Sequence, residues 1–408
     1  MTGRSFLFPD LRVRDIATEV ISVSLNIGIF GCGRGRTCAK TVYGAGLDIR
    51  VSALCDADLG KLNEVRGICA AAGDFPAVYT DAEEFLSSGK FDAVVLCNYF
   101  HEHAPAASRL LRAGYAVLSE TAAAGTMSEA VGLCEAAEES RAVYMMAENY
   151  PYTKSNFELK RLYESGTLGK LVFAEGEYVH PVKPPAAPLA SPGTHWRTFL
   201  PVTYYCSHSI GPLIFMTGEL PVRVTAMAAL DDPERAAQFG RIRPHAAGIM
   251  MVRTTGGAVM RVAGSCYMSP RSNWFRLSCT EGSAETVRGL GSTHVRLCYN
   301  EWSLPEGVTS ADRIYEAEWA EDGSAAEGCG HCGGDYWVMR YFLEACEGKR
   351  SPFPDVYTAC SMSALGILGW RSVQNGGMPF DIPDFRDRAA RARFADDRLS
   401  PFPPHRNI

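Results

Sequence analysis

Short apolar runs alternate with longer amphipathic stretches through the first third of the chain. Residues 25–30, 51–55, 77–79, 92–97, 115–118 and 142–146 are apolar runs of strand length, and residues 37–45, 59–72, 104–113 and 127–140 between them carry helical spacing. Strands separated by helices of about 10 to 15 residues are the mark of parallel βαβ units. Residues 25–150 therefore predict an α/β, doubly wound parallel sheet. The pattern then changes. A helix is predicted over 156–165, and strand-like runs follow at 171–179, 222–228, 246–254, 258–266 and 275–279. Closely spaced strands of this kind predict a second α/β domain, 151–385, with an open and mostly antiparallel sheet. Helices at 336–347 and 359–375 follow, and part of this tail is expected to pack back on the first domain. Residues 1–24 read as an N-terminal extension, 181–192 as a Pro-rich loop and 386–408 as a C-terminal arm.

Composition narrows the class. The chain has 408 residues, 47% hydrophobic, with 40 Lys+Arg against 46 Asp+Glu, a net charge of −6. At roughly 150 residues per domain this is two or three domains of ordinary globular make-up. Acidic balance with mixed charges excludes the concentrated basic face of a nucleic-acid or membrane-surface binder. Asp10, Asp15 and Glu19 interrupt the first 24 residues, so no secretory signal is read there, and no apolar run reaches the ~18 residues of a membrane span. The 14 cysteines are scattered, and only Cys329 and Cys332 have Cys-x-x-Cys spacing. Zinc wants four ligands, so no metal is expected. The rest read as small buried hydrophobes in a reduced, cytoplasmic protein.

The chemistry begins at Gly31-Cys32-Gly33-Arg34-Gly35, directly after the first strand. Glycines there let backbone N–H groups at a helix N-terminus approach a pyrophosphate, and Asp56 after the second strand is placed to bind an adenosine ribose. The acid points to NAD rather than NADP. Arg36 stands where the third glycine of the fingerprint is expected. Asn98, His101 and His103, after the fourth strand, and Glu148 and Asn149, after the sixth, are expected to face the cofactor.

These features resemble the Gfo/Idh/MocA oxidoreductases. The likeness runs from about residue 25 to 385 and rests on Gly31-Cys32-Gly33, Asp56, His103-Ala104-Pro105, Ser119-Glu120-Thr121-Ala122, Glu148-Asn149-Tyr150, Gly333-Gly334-Asp335 and Asp355-Val356-Tyr357. It implies a Rossmann domain joined to a substrate domain, with NAD between them and Glu120 beside it. Two departures matter. Thr121 replaces the usual catalytic lysine, and Tyr204 occupies the position of an Asp that usually accompanies the active-site histidine. What remains is Tyr205 and His208 with Ser209-Ile210-Gly211-Pro212. That run, together with Gly33-Arg34-Gly35, is similar to the glycoside hydrolase family 109 branch.

That branch implies a glycosidase acting by transient oxidation: a ketone at sugar C3 acidifies C2–H, the C1 substituent is eliminated, water adds, and C3 is reduced again. Tyr205 and His208 are the expected catalytic pair. Tyr150, Tyr152, His180, Trp196, Arg197 and Tyr204 are expected to line the carbohydrate site, whereas His331 and Asp335 are expected to be structural. The alternatives are an NAD-dependent sugar or cyclitol dehydrogenase, or a non-catalytic NAD-binding sensor. The partner is a carbohydrate or glycoside, and the open sheet is expected to make a homo-oligomer.

Overall fold

The computed structural model describes residues 24–183, 195–265, 267, 268, 270–319 and 321–403. The N-terminal extension, most of the Pro-rich loop and the last five residues lie outside them.

The first sheet is wholly parallel, in the order β3-β2-β1-β4-β5-β6. Its strands are β1 (Leu25–Phe30), β2 (Ile49–Cys55), β3 (Ala77–Tyr79), β4 (Ala93–Leu96), β5 (Ala116–Ser119) and β6 (Tyr144–Met146). Helices α1 (Cys32–Gly44), α2 (Leu59–Ala71), α3 (Ala82–Leu86), α4 (His103–Arg112) and α5 (Met127–Glu139) alternate with them. Strands such as β4 are buried along their whole length, because helices cover both faces. The strand order reverses between β1 and β4, which opens a crevice at the carboxyl ends where this architecture binds ligands.

Helix α1 starts at Cys32, earlier than its apolar spacing suggests. Gly31 takes φ +101 and makes the turn alone, so Gly33 and Gly35 fall inside the first helical turn.

The second sheet has nine strands in the order β14-β13-β12-β11-β7-β10-β9-β8-β15, with only β7 and β10 parallel. Helix α6 (Lys154–Glu164) leads to β7 (Leu171–Val179), and α7 (Ser207–Thr217) to β8 (Pro221–Leu230) and α8 (Pro233–Gln238). Then come β9 (His245–Thr254), β10 (Val259–Ser265), β11 (Ser272–Cys279), β12 (Gly282–Thr286), β13 (His294–Tyr299) and β14 (Asp312–Glu316). The apolar pattern misses β12 to β14: β12 has few apolar residues, β14 is an edge strand that exposes Asp312, Arg313 and Ile314, and only the short β13 alternates, burying Val295, Leu297 and Tyr299. Helices α9 (Gly334–Cys346) and α10 (Val356–Gln374), the short β15 (Phe380–Asp381) and α11 (Arg388–Ala392) complete the chain.

Helices α6, α7 and α10 cover one face of the large sheet, while Met227, Ile249 and Met251 stand exposed on the other. Helix α9 returns to the first sheet, where Trp337 and Phe342 join the core of Ile27, Ile29 and Val42. The arm also returns: Arg371 pairs with Asp397, and Phe402 is buried against Phe100 and Tyr204. Among the described residues no helix is long and apolar enough to cross a membrane.

Candidate active site

The glycine turn is shaped by two close approaches. A Cβ on Gly31 would collide with the Cys97 carbonyl, and one on Gly35 with the Ile29 side chain. Gly35 thus lets α1 lie close on β1, the service the third glycine of the fingerprint performs, and Arg36 is free to pair at the surface with Glu64. Gly33 is exposed, and a Cβ there would meet nothing closer than the Lys61 side chain at 3.8 Å. Asp56 ties the turn to β2 by accepting from the backbone N–H groups of Cys32 (2.7 Å) and Asp58 (2.8 Å).

These features fit a dinucleotide. An open glycine face sits at a helix N-terminus beside a carboxylate at the next strand end. Asn98 Oδ1 and Asn149 Oδ1, buried near the ends of β4 and β6, have no hydrogen-bond partner among the described residues. Buried carbonyl oxygens of this kind are costly unless a ligand or water uses them.

A charged knot closes the floor of the crevice. Arg34 Nε donates to Glu120 (2.6 Å), and its Nη2 to Asp335 (2.7 Å). Asp335 also accepts from Asn149 Nδ2 (2.9 Å) and lies 2.9 Å from His331 Nδ1. Burial pushes the Asp335 carboxyl up, but His331 and Arg34 outweigh it and hold the group well below the usual carboxylate range. His331 and Asp335 therefore lie against the dinucleotide turn and Asn149 rather than in a remote tail. Sequence reasoning missed them because α9 begins about 180 residues downstream of Asn149, with |i−j| of 186 for the Asn149–Asp335 pair.

His208 lies on the first turn of α7. A Cβ on Gly176 would collide with the Ser209 carbonyl, so the missing side chain is what lets α7 sit hard against β7. The His208 ring is thereby set among Tyr178 (4.6 Å between centroids), Tyr150 (5.0 Å) and Tyr205 (5.2 Å). Its Nδ1 lies 2.6 Å from Oε1 of the fully buried Glu148. The expectation that His208 lacks an acidic partner is thus corrected: the acid comes from the segment after β6 rather than from its own helix. Glu148 is committed to the histidine, although its Oε2 has no partner. With Nδ1–H donated to Glu148, Nε2 carries the lone pair.

The second wall comes from the large sheet and the preceding loop. Tyr178 and His180 lie at the end of β7, and Arg271 Nη2 is 3.3 Å from His180 Nε2. Burial first, then Arg271 and Arg197, lower the His180 pKa to about 4, so the ring is neutral at pH 7 and accepts from Arg271. Arg197 donates to the Tyr205 hydroxyl (3.2 Å) and lies over Trp196, 4.4 Å from its ring centroid. Burial pushes the Tyr150 phenol up to about 12.

Other expected residues are placed elsewhere. Tyr152 is buried among Phe157, Phe215 and Tyr341 and donates to the Phe353 carbonyl (2.6 Å), so it is core rather than sugar contact. Tyr204 donates to the Gly125 carbonyl (3.1 Å) under Phe402, away from the tyrosine cluster. His103 is buried with its ring nitrogens 3.1 Å and 3.3 Å from the carbonyl oxygens of Ala122 and Asn98, and since burial lowers its pKa the neutral ring donates its one N–H to one of them, a packing role rather than a cofactor contact. His101 is buried and stacked on Phe402. The Cys32 side chain is buried, and its backbone N–H alone serves the turn. Apolar spacing could not show these outcomes, because each depends on a neighbour far along the chain.

A parallel doubly wound sheet carrying this turn, joined to an open sheet that supplies a histidine and tyrosine cluster, defines a two-domain nicotinamide-dependent oxidoreductase class. Residues 25–148 match the oxidoreductase family with an NAD-binding Rossmann fold, 157–285 the GFO/IDH/MocA C-terminal domain and 248–391 the glycosyl hydrolase 109 C-terminal domain. The chain belongs to the Gfo/Idh/MocA family and carries the C-terminal domain of its glycosyl hydrolase 109 branch. It is 25% identical to a glycosyl hydrolase family 109 protein of Stenotrophomonas maltophilia, over 88% of this chain and 91% of that one. It is 24% identical to an alpha-N-acetylgalactosaminidase of Tannerella forsythia, over 82% and 81%. Levoglucosan dehydrogenase in complex with NADH and L-sorbose shares the fold at 19% identity with a TM-score of 0.73, over 89% and 100%. An Agrobacterium radiobacter oxidoreductase in complex with NAD+ and L-tartaric acid does so at 14% and 0.69, over 88% and 98%.

Proposed function

We propose that this protein is an NAD-dependent glycoside hydrolase that cleaves a glycosidic bond through transient oxidation at sugar C3. The observation that carries the reading is the His208 constellation, an imidazole held by a buried carboxylate and ringed by three phenols beside the dinucleotide turn. Bound NAD would supply the reversible two-electron oxidation of C3. The chain's residues manage protons and orientation. Tyr205, with Arg197 on its hydroxyl, accepts and later returns the C3 hydroxyl proton. His208 Nε2 takes the C2 proton, which a neighbouring ketone makes acidic, and Glu148 stabilises the imidazolium formed. Thr121 supplies no base near neutral pH, so this work falls to the tyrosine and histidine. Gly31, Gly33, Gly35, Asp56, Asn98 and Asn149 would hold the dinucleotide, with Arg34 and Glu120 bracing the turn. Tyr178 and His180 would present an aromatic and polar wall to a neutral sugar, whereas Trp196 is stacked on Phe100 and covered by Arg197.

The name of the Tannerella forsythia relative makes an α-N-acetylgalactosaminide the first substrate to test. The enzyme is incubated with the 4-nitrophenyl glycoside in D2O without added NAD, and both aglycone release and deuterium at C2 are followed. Release with C2 exchange is expected. Stoichiometric NADH without release would make the protein a sugar dehydrogenase, and tight NAD binding without turnover would make it a sensor.

The protein is read as a cytoplasmic homo-oligomer. Thirteen free cysteines among the described residues favour a reducing compartment. Met227, Ile249 and Met251 give the open sheet face an apolar patch. Light scattering on wild type and on Met251→Arg tests the oligomer, with a fall in molar mass expected for the variant.

A further inference from the structure

Cleavage of the C1–O bond creates an oxygen anion, and the groups assigned so far serve only C2 and C3. His331 stands ready for that task. Its Nδ1 is fixed by Asp335 at 2.9 Å, the ring is about one third exposed (32%), and its other nitrogen makes no hydrogen bond to any described residue. Its ring lies 5.7 Å from that of Tyr150, the same ring His208 approaches at 5.0 Å, so the two imidazoles flank one phenol. His331 (φ 54) and Cys332 (φ 56) are the only non-glycine residues with positive φ among the described residues. Such backbone is strained and persists where its surroundings over-determine it, commonly at functional sites. The surroundings here are built for it: a Cβ on Gly330 would collide with the Asp335 carboxylate, and one on Gly334 with the Asn149 carbonyl.

We propose that His331 is the proton donor to the departing C1 oxygen and the proton acceptor from the water that replaces it, an assignment that rests on the hydrolase reading above. In the forward step the Nε2–H proton of the imidazolium goes to the leaving oxygen. That oxygen keeps the C1–O electron pair, and the pair left at C2 by deprotonation forms the C1=C2 bond. In the return step a water proton goes to Nε2 as the water oxygen bonds to C1, and the π pair moves to C2, which regains its proton from His208. The Asp335 carboxylate stabilises the imidazolium in both directions, as Glu148 does for His208.

The test compares 4-nitrophenyl and methyl glycosides of one sugar. 4-Nitrophenolate leaves without acid assistance, whereas an alkoxide does not. His331→Gly, which tolerates the positive φ, and His331→Asn, which also does, are expected to lose about 10²- to 10⁴-fold in kcat on the methyl glycoside. Both should lose less than about tenfold on the 4-nitrophenyl glycoside and exchange C2 deuterium at the wild-type rate. Added imidazole should restore part of the methyl glycoside rate in His331→Gly. Equal losses on both substrates, or wild-type rates on both, overturn the assignment, and circular dichroism separates the first from misfolding. A wild-type enzyme that releases aglycone from neither substrate overturns the hydrolase reading itself before the variants are compared.

Discussion

Glu148 Oε1 lies 2.6 Å from His208 Nδ1, although 60 residues separate them in the chain. The carboxylate fixes both the tautomer and the orientation of the imidazole, and removing such an orienting partner commonly costs about 10- to 100-fold. Glu148→Gln is expected to lower the rate of C2 exchange by about that factor. A buried carboxylate with one unpartnered oxygen is itself destabilising, so the melting temperature of the variant should stay level or rise. A fall in melting temperature with unchanged exchange would assign Glu148 to the fold instead.

The Arg34–Asp335 pair joins the dinucleotide turn to a helix 301 residues later. The pair is part-buried and Arg34 keeps Glu120, so losing a charge-assisted hydrogen bond costs about 1.5 to 3 kcal/mol, and Asp335→Asn is expected to lose about that much at pH 7 by urea titration. The folded-state pKa of Asp335 is depressed, so its contribution is present above the unfolded value near 3.9 and is lost as pH falls through the folded one. The stability gap between wild type and Asp335→Asn should therefore narrow as pH drops below about 4. A gap that widens there would contradict the assignment.

Asp56 holds the glycine turn through Cys32 and Asp58 and is the carboxylate proposed for the adenosine ribose. Charge-assisted hydrogen bonds of this kind contribute about 1.5 to 3 kcal/mol each. Calorimetry should show Asp56→Ala weakening NAD binding by about tenfold or more and reducing the discrimination against NADP. Unchanged affinity for both would remove Asp56 from the cofactor site.

Gly176 is where the large sheet and α7 meet. An added Cβ would strike the Ser209 carbonyl and the Leu213 side chain, and overpacking of this kind costs about 1 to 3 kcal/mol. Gly176→Ala should lower stability by that amount. It should also depress turnover more than cofactor affinity, because the displaced helix carries His208 and not the dinucleotide turn. Equal loss of both would point to general unfolding.

The sequence by itself determined the parallel first sheet, the glycine turn and Asp56, since each is written in local spacing that a strand-turn-helix unit reads directly. The open second sheet was legible from its apolar strands, but β12 and β14 carry too few apolar residues to register. Spacing also brought His208 and Tyr205 together, since they are neighbours on one helical entry.

Only the tertiary structure decided the rest. It paired His208 with Glu148, moved Tyr152 and Tyr204 into packing, buried His103 against backbone carbonyls, and brought His331 and Asp335 from the tail to the crevice. The physical reason is the same in each case: whether a polar side chain serves a ligand or its own fold depends on which partner satisfies it once buried. Those partners come from other elements of the chain, so no local pattern records them.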